Sequence, residues 1–195
     1  TFLNRFPPRV HSYACTVATS RGGQPIHSPL ANPSTTGGIM TVTILLLEDE
    51  ADVRTALERD LEPFWGKIRY EVAQDVPDAW AAIDDILSDG DELALVLSDH
   101  RLPGESGVDF LVELTHDERF SSTHTVLVTG QADQDDTIKA VNEAGLDYYI
   151  AKPWDPQKLV AVVREQLTNY VLESGINPLP YLPVLDGVRV MEAIR

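Results

Sequence analysis

The chain has 195 residues, which is enough for one domain of ordinary size with appendages. The first 40 residues hold three arginines and no acid, so residues 41–195 hold 12 basic and 31 acidic residues, a net charge of −19. A surface this acidic repels nucleic-acid phosphates and anionic membranes. Direct binding to nucleic acid or a membrane is therefore not expected, and the expected partners are proteins and a cation.

The cysteine content and the hydropathy indicate a reducing, aqueous compartment. Cys15 is the only cysteine, which excludes an internal disulfide and a cysteine metal cluster. No apolar run approaches the roughly 18 residues that span a membrane, and residues 1–40 lack the apolar core of a secretion signal. We expect a cytoplasmic protein.

Composition divides the chain into three parts. Residues 1–40 are rich in Ser, Thr, Pro and Gly without helical or strand periodicity, which predicts disorder. Met40 stands where a native start codon would fall, so a non-native or wrongly extended N-terminus is favoured over a targeting peptide. Residues 41–173 alternate strand-like and helix-like segments, and residues 174–195 form a tail that begins Pro-rich.

The segments of residues 41–173 form five successive strand–helix units. The predicted strands are, in chain order, Val42–Leu47, Ile68–Val72, Leu93–Leu97, Val126–Val128 and Leu146–Ala151. The helices that follow them have apolar residues at helical spacing, which are, helix by helix, Val53, Ala56, Leu57 and Leu61; Trp80, Ile83 and Leu87 on one face; Val108, Leu111, Val112 and Leu114; Ile138, Val141 and Ala144; and Leu159, Val162, Val163, Leu167 and Tyr170. Pro77 lies in the first turn of the second helix, and Asp155 caps the fifth.

These strands are apolar on both faces and are separated by helices. This pattern predicts a parallel sheet that helices cover on both sides, in a doubly wound α/β fold. In open sheets of this kind, ligands bind beyond the carboxyl ends of the strands. Polar residues follow or end four of the predicted strands, namely Glu48 and Asp49, Asp99, Thr129 and Lys152. We therefore expect them to converge at one edge of the sheet.

The acids of this group predict a magnesium site. Carboxylates within about 5 Å repel one another by roughly 1 to 4 kcal/mol per pair, and a cation relieves this repulsion. Hard oxygen ligands favour Mg²⁺, which one or two carboxylates typically hold together with phosphate oxygens. Asp49 and Asp99 are the candidate direct ligands, Glu48 is a candidate through water, and the Arg101 carbonyl is placed to contribute.

The same group predicts phosphoryl transfer to a carboxylate. A carboxylate can attack phosphorus when cationic and donor groups spread the charge on the transferring phosphoryl group. Asp99 is the candidate nucleophile, Lys152 would pair with one phosphoryl oxygen, and the Thr129 hydroxyl would donate to another. Because Lys152 and Thr129 would gain these phosphoryl oxygens as partners only after phosphorylation, the reaction would be coupled to a change of conformation.

The strings "LEDE", "SDHRLPGESG", "VTG" and "AKPW", in this order and spacing, resemble the response regulator receiver domain of two-component signalling over about residues 41–173. The resemblance implies a flavodoxin-like fold with strand order 2-1-3-4-5. It also implies that Glu48 and Asp49 form the acid pair, Asp99 is the phosphoacceptor, and Thr129 and Tyr149 are switch residues. Lys152 matches the lysine that precedes a cis-type proline, here Pro153.

The resemblance further implies a function in signalling. Asp99 would take a phosphoryl group autocatalytically from the phosphohistidine of a histidine kinase, and self-dephosphorylation would be the only other reaction. The face formed by the fourth predicted helix, the fifth strand and the fifth helix would then rearrange, and it is also the candidate homodimer interface. Two departures from the common pattern are Glu48 in place of Asp, and Gly130, which should leave the phosphoryl group more accessible.

The output of the protein stays open at this stage. Only 22 residues follow the fifth predicted helix, too few for an effector domain, so an effector protein would act in trans. Apolar residues in 174–195 predict a tail that docks on the receiver or on a partner. The alternatives are a phosphorelay intermediate that passes phosphate to a histidine phosphotransfer protein, and a phosphorylation-independent scaffold for a separate enzyme.

Overall fold

The structure is a computed structural model that describes residues 40–130 and 145–195. The strands are β1 (Val42–Leu47), β2 (Arg69–Ala73), β3 (Glu92–Ser98), β4 (His124–Thr129) and β5 (Tyr148–Ala151). The described α-helices are α1 (Ala51–Asp60), α2 (Val76–Ser88), α3 (Gly107–His116), α4 (Pro156–Glu173) and α5 (Gly187–Ala193), and short 3-10 helices lie at Glu62–Phe64, Glu118–Phe120 and Leu179–Tyr181. The helix predicted around Ile138 and the disorder predicted for residues 1–40 fall on residues outside the described ranges, Met40 excepted.

The five strands form one parallel sheet in the order β2-β1-β3-β4-β5. This confirms the predicted doubly wound fold and its strand order. β1 is central to the arrangement because it pairs with β2 on one side and with β3 on the other. The chain therefore changes winding direction beside β1, which places a crevice at the carboxyl ends of β1 and β3.

Each face of the sheet has its own apolar core. In β1, Ile44 and Leu46 pack in one core with residues of α1 and α4, and Leu45 and Leu47 pack in the other with residues of α2 and α3. All four side chains are fully buried. Alternate residues of a strand point to opposite faces, so a strand buried on both faces has to be apolar throughout.

Helices α2, α3 and α4 begin at side-chain caps. The side chains of Asp75, Ser106 and Asp155 accept hydrogen bonds from backbone N–H groups in the first turns of these helices.

The buried face of α2 differs from the predicted one. Its buried residues are Val76, Ala79, Ile83 and Ile86. Leu87 is 37% exposed, so its predicted place on the buried face is wrong. The buried stripe runs in steps of three, four and three residues, and its last step ends on Ile86.

The tail packs on the core beside α4. Tyr181, Val184, Leu185 and Val190 are buried in the same cluster as residues of α1 and α4. The Asp186 N–H donates to Thr168 Oγ1 at 2.9 Å, and the Tyr181 hydroxyl donates to the Met40 carbonyl at 3.1 Å. The predicted domain boundary at residue 173 and the docking role of the tail stay predictions. Among the described helices, none has the length and apolarity needed to cross a membrane.

A histidine ion pair joins the amino-terminal ends of β4 and β5. His124 Nδ1 lies 2.8 Å from Asp147 Oδ1, and His124 Nε2 lies 3.5 Å from Glu173 Oε2. Asp147 Oδ2 also accepts the Thr125 N–H at 2.7 Å. Burial alone would lower the pKa of His124, but the hydrogen bond and charge of Asp147, together with Glu173, raise it above its usual value.

The raised pKa of His124 predicts how stability depends on pH. The stabilisation is fully present below the unfolded-state pKa of about 6.5 and is lost as pH rises through the higher folded-state pKa. Urea unfolding should therefore show a larger stability difference between wild type and His124→Gln at pH 6 than at pH 9. The exposed His116 offers the control, because His116→Gln also removes an imidazole. An equal loss of stability in His124→Gln at pH 6 and pH 9 would show that the ion pair of His124 does not raise its pKa.

Candidate functional site

The ladder of the sheet extends one residue beyond the ends of β1 and β3. The Glu48 N–H donates to the Ala73 carbonyl at 3.0 Å, and the Asp99 N–H donates to the Leu47 carbonyl at 2.8 Å. The backbone of both acids is therefore held by neighbouring strands. Glu48 is 1% exposed and Asp99 is 7% exposed, so their carboxylates lie at the inner end of the crevice.

The other two predicted positions are fixed in the same way. Thr129 is the last residue of β4, pairs with Ala151 and is 2% exposed. The Lys152 N–H donates to the Thr129 carbonyl at 2.8 Å, which extends the ladder past the end of β5. The peptide bond from Lys152 to Pro153 is cis. All four predicted strand ends therefore meet at one edge of the sheet.

Lys152 bridges the two buried acids. Its Nζ lies 2.5 Å from Glu48 Oε2 and 3.0 Å from Asp99 Oδ2. Asp99 Oδ1 accepts the N–H of His100 at 2.6 Å, and Glu48 Oε1 accepts the N–H of Glu50 at 3.2 Å. Each oxygen of both carboxylates therefore has a hydrogen-bond donor, as buried charged groups require.

The pKa values reflect opposing effects of burial and pairing. Burial raises the pKa of Glu48, while the hydrogen bond and charge of Lys152 oppose that rise. For Lys152, burial acts to lower the pKa, but the hydrogen bonds and charges of Glu48 and Asp99 prevail and raise it. Lys152 therefore keeps its positive charge at neutral pH and compensates the negative charge of the acids.

The acid cluster has the donor set that Mg²⁺ prefers. Glu48, Asp49 and Asp99 each offer a carboxylate oxygen, and these oxygens lie within 4.8 Å of one another. Asp49 is the most exposed of the three. A hard cation suits this all-oxygen set, because Mg²⁺ binds one or two carboxylates and keeps several waters. The residues present therefore fit the predicted metal.

An open cavity of about 500 Å³ adjoins the cluster. It is lined by Asp49, Glu50, Asp99, Arg101, Thr129, Gly130 and Lys152. Arg101 thus lies at the cavity, on the loop between β3 and α3, where it pairs with Ser106 across an isolated bridge. The cavity is wide enough for a phosphoryl group together with a hydrated cation, and it places Asp99, Thr129 and Lys152 in the same space.

Tyr149 lies on the sheet face opposite to that of its neighbour Tyr148. The Tyr149 side chain is half-buried against the core of α2 and α3, and Tyr148 packs against the core of α1 and α4. Tyr149 pairs in the ladder with Leu127, two residues before Thr129. The segment that follows Thr129 in the chain includes residues 131–144, which lie outside the described ranges.

One neighbour of the site was not predicted as functional. On α1, Arg54 contacts the backbone of Glu48 and Asp49. Its position five residues after Asp49 is the available sequence signal, because side chains on a helix lean toward the helix N-terminus. Trp154 was predicted as a packing residue that could shield the site beside it, and its Nε1 donates to Asp60 Oδ2 on α1 at 2.9 Å.

Residues 44–164 match the sequence model of the response regulator receiver domain, and the chain belongs to this family. The fold, the strand order and the spacing of the strand-end motifs agree with this membership. Receiver domains are signalling modules of two-component systems. The identification made from the four motifs is therefore confirmed.

Known proteins similar to this chain include regulators with additional sequence. The chain is 32% identical to the hydrogenase transcriptional regulatory protein HoxA of Cupriavidus necator and 33% identical to the response regulator Rre1 of a Synechocystis strain. The aligned parts cover 70% and 68% of this chain, but only 26% of HoxA and 54% of Rre1. The chain thus spans between about a quarter and about half the length of these relatives.

Solved structures show the same fold. A CheY-like response regulator receiver domain protein from Methanospirillum hungatei is 26% identical, with a TM-score of 0.59, and the match covers 68% of this chain and 98% of that structure. A signal receiver domain of an HD domain-containing protein from Pseudomonas fluorescens is 28% identical, with a TM-score of 0.57, and the match covers 67% and 97%.

The close approach of Gly107 to Asp99 gives a testable prediction. A Cβ atom at Gly107 would lie 1.8 Å from the Asp99 carbonyl oxygen and 2.5 Å from Ser98 Oγ. Gly107→Ala should therefore displace the Asp99 backbone and destabilise the fold by about 2 to 3 kcal/mol, as overpacking does. Urea unfolding measures this loss.

Gly187→Ala is the control for this prediction, because a Cβ atom at Gly187 meets no other atom within 4 Å. Its effect should be small. A Gly107→Ala protein with wild-type stability would show that the close contact between Gly107 and the Asp99 backbone does not exclude a side chain at residue 107.

Proposed function

We propose that the chain is a phosphorylation-activated switch in which Asp99 receives a phosphoryl group from a histidine kinase in the cytoplasm. The observation that supports this most is the convergence of Glu48, Asp49 and Asp99 at one edge of the sheet, with Lys152 bridging two of them. Output would follow through protein–protein contacts with an effector. Residues 41–173 would be the receiver unit.

The proposed reaction forms an acyl phosphate on Asp99. A carboxylate oxygen of Asp99 attacks the phosphorus of a phosphohistidine, a P–O bond forms and the P–N bond breaks. The leaving imidazole takes the bonding electrons and a proton from solvent. When bound at the acid cluster, Mg²⁺ supplies positive charge that stabilises the equatorial oxygens of the transferring group.

Lys152 and Thr129 would change their hydrogen-bond partners when Asp99 is phosphorylated. Before transfer, Lys152 lies 3.0 Å from Asp99 Oδ2. After transfer, its ammonium group would pair with a phosphoryl oxygen, and the Thr129 hydroxyl would donate to a second one. Because β4 and β5 are paired through this edge, a shift at Thr129 would reach Tyr149. The change would then reach the sheet face on which Tyr149 packs.

Labelling with a small phosphoramidate donor tests this function. Wild type should be phosphorylated in the presence of Mg²⁺, and excess EDTA should abolish the reaction. Asp99→Asn should reduce labelling by at least about 100-fold, because the nucleophile is removed. Gel shift and mass spectrometry of the labelled peptide measure the extent and the position of the modification.

The matched control is Glu105→Gln, which removes an exposed carboxylate from the loop that follows Asp99. It should be labelled as fast as wild type. Mg²⁺-independent labelling, or equal labelling of the Asp99→Asn protein, would refute the proposed site. No labelling of wild type would favour the phosphorylation-independent scaffold, and rapid passage of label to a histidine phosphotransfer protein would favour the phosphorelay.

Gly130 gives a second prediction on the lifetime of the phosphorylated state. A Cβ atom here would lie 4.0 Å from Lys152 Cβ, so Gly130→Ala fits without strain. The added methyl group at the cavity edge should hinder the approach of water to the acyl phosphate. We expect loss of label to slow roughly two- to fivefold, a barrier change below about 1 kcal/mol. An unchanged or faster loss would contradict this role of the cavity edge.

A further inference from the structure

The loop between β1 and α1 carries two of the three acids, and it lacks the usual side-chain cap. Glu50 occupies the N-cap position of α1 but makes no side-chain capping hydrogen bond. A capping side chain would ordinarily satisfy free N–H groups and fix the path of the chain into the helix. The path of this loop must therefore be fixed by other contacts.

Arg54 supplies such contacts from the helix. Its Nη1 donates to the Glu48 carbonyl at 2.8 Å and to the Asp49 carbonyl at 2.7 Å. One nitrogen with two protons thus holds two successive carbonyl groups. The side chain is half-buried. These charge-assisted hydrogen bonds are stronger than neutral ones, and they constrain the peptide planes on both sides of Asp49.

We propose that Arg54 is a positioning residue that holds the carboxylates of Glu48 and Asp49 in the arrangement that binds Mg²⁺. This inference rests on the proposed function of the acid cluster. Arg54 bonds to backbone carbonyls and leaves the carboxylate oxygens to other partners. It therefore restrains the backbone beside the cluster without occupying the ligand atoms.

Electrostatic repulsion is the reason that the loop needs this restraint. Three carboxylates with oxygens within 4.8 Å repel one another, and Lys152 pairs with Glu48 and Asp99. Asp49 is the most exposed acid, and the repulsion acts to drive its carboxylate away from the other two. The hydrogen bond from Arg54 to the Asp49 carbonyl opposes that movement. Loss of Arg54 should therefore weaken metal binding before it affects phosphoryl transfer at saturating metal.

A Mg²⁺ titration of the full chain, followed by ¹H–¹⁵N NMR, tests the inference without reference to phosphorylation. Arg54→Met should raise the dissociation constant for Mg²⁺ roughly five- to tenfold, the effect of losing two hydrogen bonds that position ligands. At saturating Mg²⁺, labelling by phosphoramidate should stay within about twofold of the wild-type rate. Arg189→Met is the matched control, because it removes an exposed arginine from α5 and should change neither value.

Arg54→Lys extends the test if the Met variant does not fold. Its ammonium group has protons for both carbonyls on a shorter side chain, so the dissociation constant should rise only about two- to threefold. A wild-type constant in a folded Met variant, or in the Lys variant if Met does not fold, overturns the inference and leaves the proposed function intact. Failure of the wild-type protein to bind Mg²⁺ overturns both.

Discussion

The extension of the parallel ladder past the ends of the strands is the constraint on which the site depends. Backbone hydrogen bonds fix Glu48 against β2, Asp99 against β1 and Lys152 against β4. A side chain placed one residue beyond a paired strand has a defined origin and direction, although it projects into an open crevice. The apolar strands and their two cores therefore determine the distances between charged groups that lie far apart in the sequence. A site on unpaired loops would need further contacts to reach the same definition.

Charge balance is the second constraint on the site. Burial of Glu48 and Asp99 at 1% and 7% exposure would be unfavourable if the acids had no cation beside them. Lys152 supplies that cation, because its Nζ lies 2.5 Å from Glu48 Oε2 and 3.0 Å from Asp99 Oδ2. Asp49 lies nearer to solvent, and its contact to Arg54 is through its carbonyl and not its carboxylate. The cluster is thus balanced at its inner end and acidic at its mouth. This gradient favours the entry of a cation at the mouth of the crevice.

The sequence was sufficient to predict features that depend on local pattern, and it failed where the outcome depends on tertiary contacts. The apolar strands and the cap at Asp155 follow from periodicity and capping chemistry, and the strand-end motifs led to the family. The buried face of α2 was misassigned by one residue, because Ile86 and Leu87 are both apolar and only packing decides between them. Arg54 was missed because its partners are backbone carbonyls, which no particular residue type identifies, so its spacing from Asp49 was the one available signal. The apolar residues of the tail indicated docking, but they did not indicate that Tyr181 packs in the core cluster of α1 and α4 and not on a partner.

The two ends of the sheet use charged residues differently, and this difference separates stability from function. At the amino-terminal end, Arg69 bonds with Glu71, Asp89 and Asp91, and His124 lies between Asp147 and Glu173. These charges have fixed partners of opposite sign. At the carboxyl-terminal end, Glu48 and Asp99 share the ammonium group of Lys152, and the three carboxylates of the cluster would gain from a further cation. Repulsion between like charges lowers the stability of the fold, so such a cluster persists only where the rest of the fold is stable enough to compensate for it. The ion pairs and the two cores lie below the crevice, and they hold the sheet that positions Lys152.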